Sequence, residues 1–548
     1  MTDSQASPQG VDLSAFSWLS EGVGTALVAY SLAVDEDNLG SLLTGDAALT
    51  DPQISLANEL VELRKHIAEN FAELPTNQVL GFIVSQLGGD GRTVARSWRM
   101  RTVGAEVDSP TTDPVDGPLM ELALEAYPAL LLPRDEELYP GMRWMLPINA
   151  VRVLLAHPKA QEFREAVLAD SLLGSVFAEE SEQPEARRQL FRSTGQGGSP
   201  QLSMLASTLI SYAWRRLQGG PVNPGRFAAE VLLALQLARA AFTKKPEKTT
   251  ARVAFAGVLL PPQTQFKVGP ALMRAVTDKD REYAPESLRA QLTGTNPSGE
   301  TTIINYDGDV LLEYRLNYRA KVVRSEELPG DWPSDMLPPP ELAQMVTRLR
   351  FSLMLAVDRD SRAQLVQTWN YIEDPLSAGP NISWNDPRQG TGIMPMLLTQ
   401  DEVAAWEKWY GRLTDPAAKL DLALSRILRA IAERREPSDV LIDSVIAWEN
   451  VFGTQQGEPT FRVTMCIAKL LEENTEARAG LRDTLAKIYG LRSKVVHGNR
   501  NLKQEEYPLC FEAMEIAIRM IRTLAADRTD ILALPDGARR SEKLLLDG

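Results

Sequence analysis

Apolar residues recur every three to four positions through the first 250 residues, and that period predicts helices. The strongest runs are LANELVELRKHIAENF (56–71), QLSMLASTLISYAWRRL (201–217) and FAAEVLLALQLARAAF (227–242). Breaks at VDSPTTDPVDGP (107–118) and STGQGGSP (193–200) read as loops. The second is glycine-rich but lacks the Gly-Lys-Ser/Thr ending of a phosphate-binding loop. Near Ala251 the period shortens to two. From Val310 to Val323, Leu312, Tyr314, Leu316, Tyr318, Ala320 and Val322 face one way, and Glu313, Arg315, Asn317, Arg319 and Lys321 face the other. That alternation predicts one half-buried antiparallel strand with a solvated basic face. TTIINY and the dipeptide Asp307-Gly308 predict a strand and a tight hairpin turn just before it. RLRFSLMLAV (348–357) and QLVQTWNYI (364–372) predict two more strands.

Helical spacing returns at Thr399. Thr399-Gln-Asp-Glu402 has the form of a capping box, and it leads into Val403, Trp406, Tyr410 and Leu413. Asp415-Pro416 opens a second helix, and Ser438 a third with Leu441, Val445, Trp448 and Phe452 in line. Further helices follow over 461–471, from Thr475 to the neighbourhood of His497, and from Pro508 to Leu524. Five or six such helices on short connections predict a bundle. The expected fold is therefore multidomain α+β. It comprises a helical N-terminal half of unknown, regulatory role (1–250), a β-rich middle domain (251–398), a C-terminal helical bundle (399–530) and a loosely ordered tail (531–548).

Composition adds limits. A chain of 548 residues exceeds one core and predicts about three domains. Its formal net charge of −15 argues against a protein that coats nucleic acid indiscriminately. The start, MTDSQASPQG, lacks the order of a signal peptide, and the apolar stretch from Val23 to Val34 is too short to span a bilayer. Only Cys466 and Cys510 are present, too few for a disulfide framework or a cysteine metal site. The expectation is a cytoplasmic protein without membrane attachment.

Against that acidic background the segment Arg478–Lys503 carries seven basic residues and only Asp483 to oppose them, a local charge of +6. Within it, Leu481, Leu485, Ile488, Leu491 and Val495 define one packed helix face. Thr475 is the expected N-cap, and Gly498-Asn499 the expected stop. Near that stop stand Arg492 and His497, separated by four residues, and His497 is one of three histidines in the chain. A cation that stays charged beside a group titrating near neutrality suits RNA strand cleavage. RNA brings its own nucleophile, the 2′-hydroxyl, so the reaction needs a proton-transfer group and a cation for the phosphate, with no metal and no cofactor. Lys494 and Arg500 could hold flanking phosphates, and Asn499 one phosphate oxygen. A single pair supplies one proton-transfer group; two pairs across a twofold axis supply an acid and a base. Arg152 and His157 repeat the spacing, but in an apolar setting with proline after the histidine, which reads as a structural histidine.

The stretches ALSRILRAIAERREPSDVLIDSVIAWENVFG, FRVTMCIAKLL and LAKIYGLRSKVVHGN resemble a HEPN domain of the ApeA-like type. The likeness covers about a quarter of the chain. It implies a helical bundle that dimerises and carries an Arg-x4–6-His motif, here Arg492 and His497. The polar residue after the arginine is Ser493, where Asn or Asp is commoner in the family's ribonucleases. Glu449, in IAWEN, is shared with the ApeA-like pattern and is expected either to hold Arg492 or to cap a buried network. The resemblance implies an endoribonuclease acting on RNA, tRNA included, as a homodimer or higher even oligomer. It also implies an antiviral or toxin-like role under control of a phage-derived or other trigger. The other reading of the same residues is a non-catalytic module that dimerises or holds a nucleotide or RNA.

Overall fold

The computed structural model describes residues 22–44, 48–104, 113–133, 146–177, 188–217, 220–295, 299, 301–324, 333–337, 340–357, 359, 363–377, 379, 381–389, 393–414, 420–454, 459–498 and 501–546. The fold is mixed α+β, in two compact units. The first comprises 1–249, 317–337 and 372–381; the second comprises 250–316, 338–371 and 382–548. Asp415-Pro416 and the first half of the 107–118 break, 107–112, lie outside the described residues. No described helix is long and apolar enough to cross a membrane.

The first unit is helical, with helices at Asp51–Asn70, Leu202–Leu217 and Pro224–Ala240 where the period predicted them. Asn223 starts the last of these: its side chain accepts from Arg226 N at 2.8 Å, and Pro224 follows at the position that needs no donor. The apolar Val23–Val34 stretch forms the Thr25–Leu32 helix, with Val28, Ala29 and Leu32 fully buried in the core. The unit is not all helix. Arg188–Arg192 and Gln196–Gly198 pair antiparallel, so the glycine-rich 193–200 segment contains a hairpin turn with Gly195 at φ 82.

The alternating run 310–323 forms two strands rather than one. Val310–Asn317 lies in a six-stranded sheet of the second unit, whereas Ala320–Arg324 pairs with Arg188–Arg192 in the first. The break falls at Tyr318, whose buried hydroxyl donates to Asp374 Oδ1 at 2.6 Å and whose N–H donates to Glu247 O. Asp374 also accepts from Arg192 Nε at 2.8 Å, Thr194 Oγ1 at 2.9 Å and Leu376 N at 3.0 Å, so this buried carboxylate is fully partnered. Thr301–Asn305 pairs with Gln291–Thr295, not with Val310–Asn317, so Asp307-Gly308 is a bend between two sheets instead of a hairpin turn. Val366–Ile372 is the predicted strand.

The 348–357 segment is not a strand. Pro340–Ala356 is a helix. Phe351, Met354 and Leu355 enter one apolar cluster while Met345, Val346, Leu349 and Leu353 enter another. Burial on two sides erases the polar stripe that would have declared a helix.

The bundle helices are Gln400–Thr414, Asp421–Ala432, Pro437–Phe452, Pro459–Leu471, Thr475–Val496 and Tyr507–Ala526. The capping box forms: Thr399 N donates to Glu402 Oε2 at 2.8 Å, and Glu402 N to Thr399 Oγ1 at 3.2 Å. Trp448, Leu441, Val445, Leu485, Ile488 and Ile521 share one core. Beyond Arg528 the chain is ordered into helices Thr529–Leu532 and Gly537–Leu546, because Ile531, Leu532 and Leu544 have room in that core. Cys466 and Cys510 are buried free thiols, and burial pushes Cys466 up to about 12.

Asp309 is a buried carboxylate of the second unit. It accepts from Gly257 N at 2.9 Å and Asn305 Nδ2 at 3.3 Å, yet burial raises its pKa to about 6. A raised carboxylate pKa means that the folded state binds a proton the unfolded chain has already lost. Stability therefore falls as pH rises from about 4 to about 6, by roughly 3 kcal/mol. Asp309→Asn is expected to raise the unfolding temperature at pH 7.5, with the gain shrinking below pH 6 and nearly gone at pH 4. Thermal unfolding of both proteins across that range checks it.

Candidate functional site

The site is built on the Thr475–Val496 helix. Its N-cap is Asn474, one residue before the expected Thr475: the Asn474 side chain accepts from Glu476 N at 2.7 Å and Ala477 N at 3.4 Å. At the other end His497 is the C-cap, and its N–H donates to Ser493 O at 3.1 Å. Gly498 follows at φ 67, a left-handed conformation that ends the helix and that side chains resist. Leu485, Ile488, Tyr489 and Leu491 are buried, with Leu481 and Val495 packed partly against them.

That burial sets the helix rotation, and the rotation sorts the candidate residues. Arg492 falls at the edge of the packed face, with its side chain 26% exposed. Its Nη2 lies 3.7 Å from Glu449 Oε2, on the Pro437–Phe452 helix. Tyr489, one turn earlier, donates its hydroxyl to Glu449 Oε1 at 3.3 Å, and its ring lies 6.1 Å from that of Trp448. Burial, then the Glu449 charge, push the Tyr489 hydroxyl pKa upward, so it remains the donor. Glu449, its side chain 35% exposed, thus lies beside Arg492 and accepts from Tyr489.

Three buried polar atoms on these two helices have no hydrogen-bond partner: Arg492 Nε, Trp448 Nε1 and Asn450 Oδ1. Interiors rarely leave such atoms unsatisfied, and Arg492 Nε is the one with an exposed charged group attached.

Ser493, Lys494 and His497 are exposed. Asn499 and Arg500 lie outside the described residues. No hydrogen bond or ion pair joins Arg492 to His497 among the described residues. At 3.6 residues per turn, positions 492 and 497 are about 140° apart around the axis and about 7.5 Å apart along it. The basic run is partly answered by local partners: Arg478 Nε donates to Glu472 O at 2.7 Å, Arg482 meets Asp483 at 3.3 Å, and Lys503 meets Glu505 at 3.6 Å. Lys487 and Lys494 remain exposed beside Arg492 in sequence. The sequence pattern passed over Tyr489 because it counts as one more apolar residue there; its spacing of three from Arg492 was the only signal.

The second Arg-x4-His pair has a different character. His157 caps the Ile148–Ala156 helix and is buried, with Nε2 2.8 Å from Gly91 O and Nδ1 accepting from Lys159 N at 3.1 Å. Arg152 lies over the Phe82 ring, 5.0 Å from its centroid. Both ring nitrogens of His157 are therefore occupied in holding backbone. Among the exposed basic residues read as a solvated sheet face, Arg315, Arg319 and Lys321 are all exposed.

Comparison of the chain with protein-family models, with curated proteins and with solved structures finds no match in any of the three.

His157→Ala is expected to destabilise the first unit by about 1–3 kcal/mol, since it orphans a buried carbonyl and a backbone N–H. His66→Ala, at an exposed helix position, is expected to change stability by less than about 0.5 kcal/mol. Paired thermal or urea unfolding of the two variants tests the contrast.

Proposed function

We propose that the protein is a metal-independent endoribonuclease of the HEPN type, with its site completed across a homodimer. The observation that carries this reading is Arg492: a half-buried guanidinium, held beside Glu449 with an unpartnered Nε, near a helix end that leaves His497 exposed. Arginine there grips a phosphate and stabilises the charge that develops on it during attack by the 2′-hydroxyl. His497 moves the proton, and the helix C-terminus beside it favours a cation.

Because the two positions are about 140° apart on one helix, one chain does not present both from the same face. A twofold-related copy brings a second histidine toward the first chain's arginine, and so provides acid and base together. Exposed Val496, Tyr507 and Phe511, at the adjoining helix ends, are suited to cover by that copy. In this reading residues 1–398 sense a trigger, phage-derived where the role is antiviral defence, and the bundle cuts cellular RNA, tRNA among it. The exposed, unengaged His497 also suits a non-catalytic module that only binds RNA or a nucleotide, and the same experiment separates the two.

Purified full-length protein is expected to cleave total RNA or tRNA in the presence of EDTA and to leave 2′,3′-cyclic phosphate ends. His497→Ala and Arg492→Ala are each expected to lower the rate by about 10²–10⁴-fold. Toxicity or protection in cells that is identical for wild type and His497→Ala would sink the catalytic reading in favour of the binding module.

A further inference from the structure

Arg492 and Glu449 stand in an unusual relation. Their closest approach, 3.7 Å, is an electrostatic contact longer than a hydrogen bond, and Arg492 Nε has no hydrogen-bond partner among the described residues. Glu449 itself is fixed from the far side, because Tyr489 donates to its other oxygen at 3.3 Å. Tyr489 is 7% exposed and tilts against Trp448, the residue preceding Glu449, so two helices lock this hydroxyl–carboxylate pair. The arrangement orients the guanidinium without saturating it. It also places a carboxylate where an incoming phosphate would be repelled.

We infer that Glu449, oriented by Tyr489, is a positioning residue that aims Arg492 at the scissile phosphate while competing with that phosphate for it. This rests on the reading of Arg492 as the phosphate-binding cation. Two consequences of opposite sign follow. Removing the Glu449 charge tightens ground-state binding, since a like charge about 6 Å away weakens phosphate binding by about threefold where water screens it fully and by up to about a hundredfold at the dielectric of a protein surface. The same change slows the chemical step, since a guanidinium free to swing loses its aim, and small misplacements cost about tenfold to a hundredfold. A merely structural glutamate would weaken binding and rate together, through lost fold.

The test uses the full-length protein and a labelled 2′-O-methyl RNA oligonucleotide, which binds but has no free 2′-hydroxyl to attack. Fluorescence anisotropy gives its Kd, and single-turnover cleavage of the matching unmodified RNA gives the rate. Glu449→Gln keeps the side-chain shape and an acceptor for Tyr489. It is expected to lower Kd at least about threefold and to slow cleavage at least about tenfold. Tyr489→Phe is expected to shift both the same way by smaller factors, and Glu449→Asp, which keeps the charge, to return Kd toward wild type. In the Glu449→Gln/Arg492→Ala double variant the gain in affinity is expected to vanish.

An unchanged Kd in Glu449→Gln overturns the inference whatever cleavage shows. A gain that persists without Arg492 overturns it too, because the carboxylate then acts only through the general field. Wild type that cleaves nothing, with the binding pattern intact, removes the nuclease reading and leaves this arrangement standing at an anion-binding site. Absence of binding by both wild type and Glu449→Gln overturns both.

Discussion

The burial of Leu485, Ile488, Tyr489 and Leu491 against the Pro437–Phe452 helix governs everything at the candidate site. A helix has one rotational freedom about its axis, and burying four large side chains removes it. Once the rotation is set, Arg492 can only fall at the edge of the packed face, within reach of Glu449, and Ser493, Lys494 and His497 can only face outward. The candidate groups are thus placed by an apolar constraint, in which Tyr489 alone also donates to one of them, Glu449. Asn474 at one end and left-handed Gly498 at the other set the length over which that rotation holds.

Buried polar groups are satisfied to different degrees at different places. In the first unit Asp374 accepts four hydrogen bonds from Arg192, Thr194, Tyr318 and Leu376, and every contact serves to hold segments together. A fully satisfied network of that kind rigidifies its surroundings and leaves no capacity for a ligand. Around Glu449 the accounting is incomplete, with Arg492 Nε, Trp448 Nε1 and Asn450 Oδ1 unpartnered. Unsatisfied buried polar atoms occur in the first unit too, at Thr93 Oγ1, Ser207 Oγ and Trp214 Nε1, so what sets the Glu449 cluster apart from these is that one of its atoms belongs to a partly exposed guanidinium.

Much of the fold was legible along the chain. Residues 202–217 and 224–240 carry long runs of strong helix formers and apolar residues, and the Thr399–Glu402 capping box needs only four neighbouring residues to form. The misread segment, 348–357, alternates polar and apolar residues from Arg348 to Leu353, a strand-like period, although Arg348, Arg350 and Ser352 are buried too and two clusters bury opposite sides of one helix. The run 310–323 kept its alternation across Tyr318 although the chain there leaves one sheet for another. Alternation records which face is buried and carries no information about which strand is the neighbour.

By itself, the amino-acid sequence determined most of the helices, the cap and stop of the Thr475–Val496 helix to within a residue, and the spacing of an arginine and a histidine in a basic run. Those follow from contacts between residues a few positions apart. Only the tertiary structure decided that Glu449 faces Arg492, that Tyr489 ties down Glu449, and that His157 is spent on the backbone of Gly91 and Lys159. Glu449 and Arg492 are 43 positions apart and His157 and Gly91 are 66 apart, and no local period reaches so far. Such meetings are set by how helices rotate and stack to bury apolar surface, which is a property of the whole core.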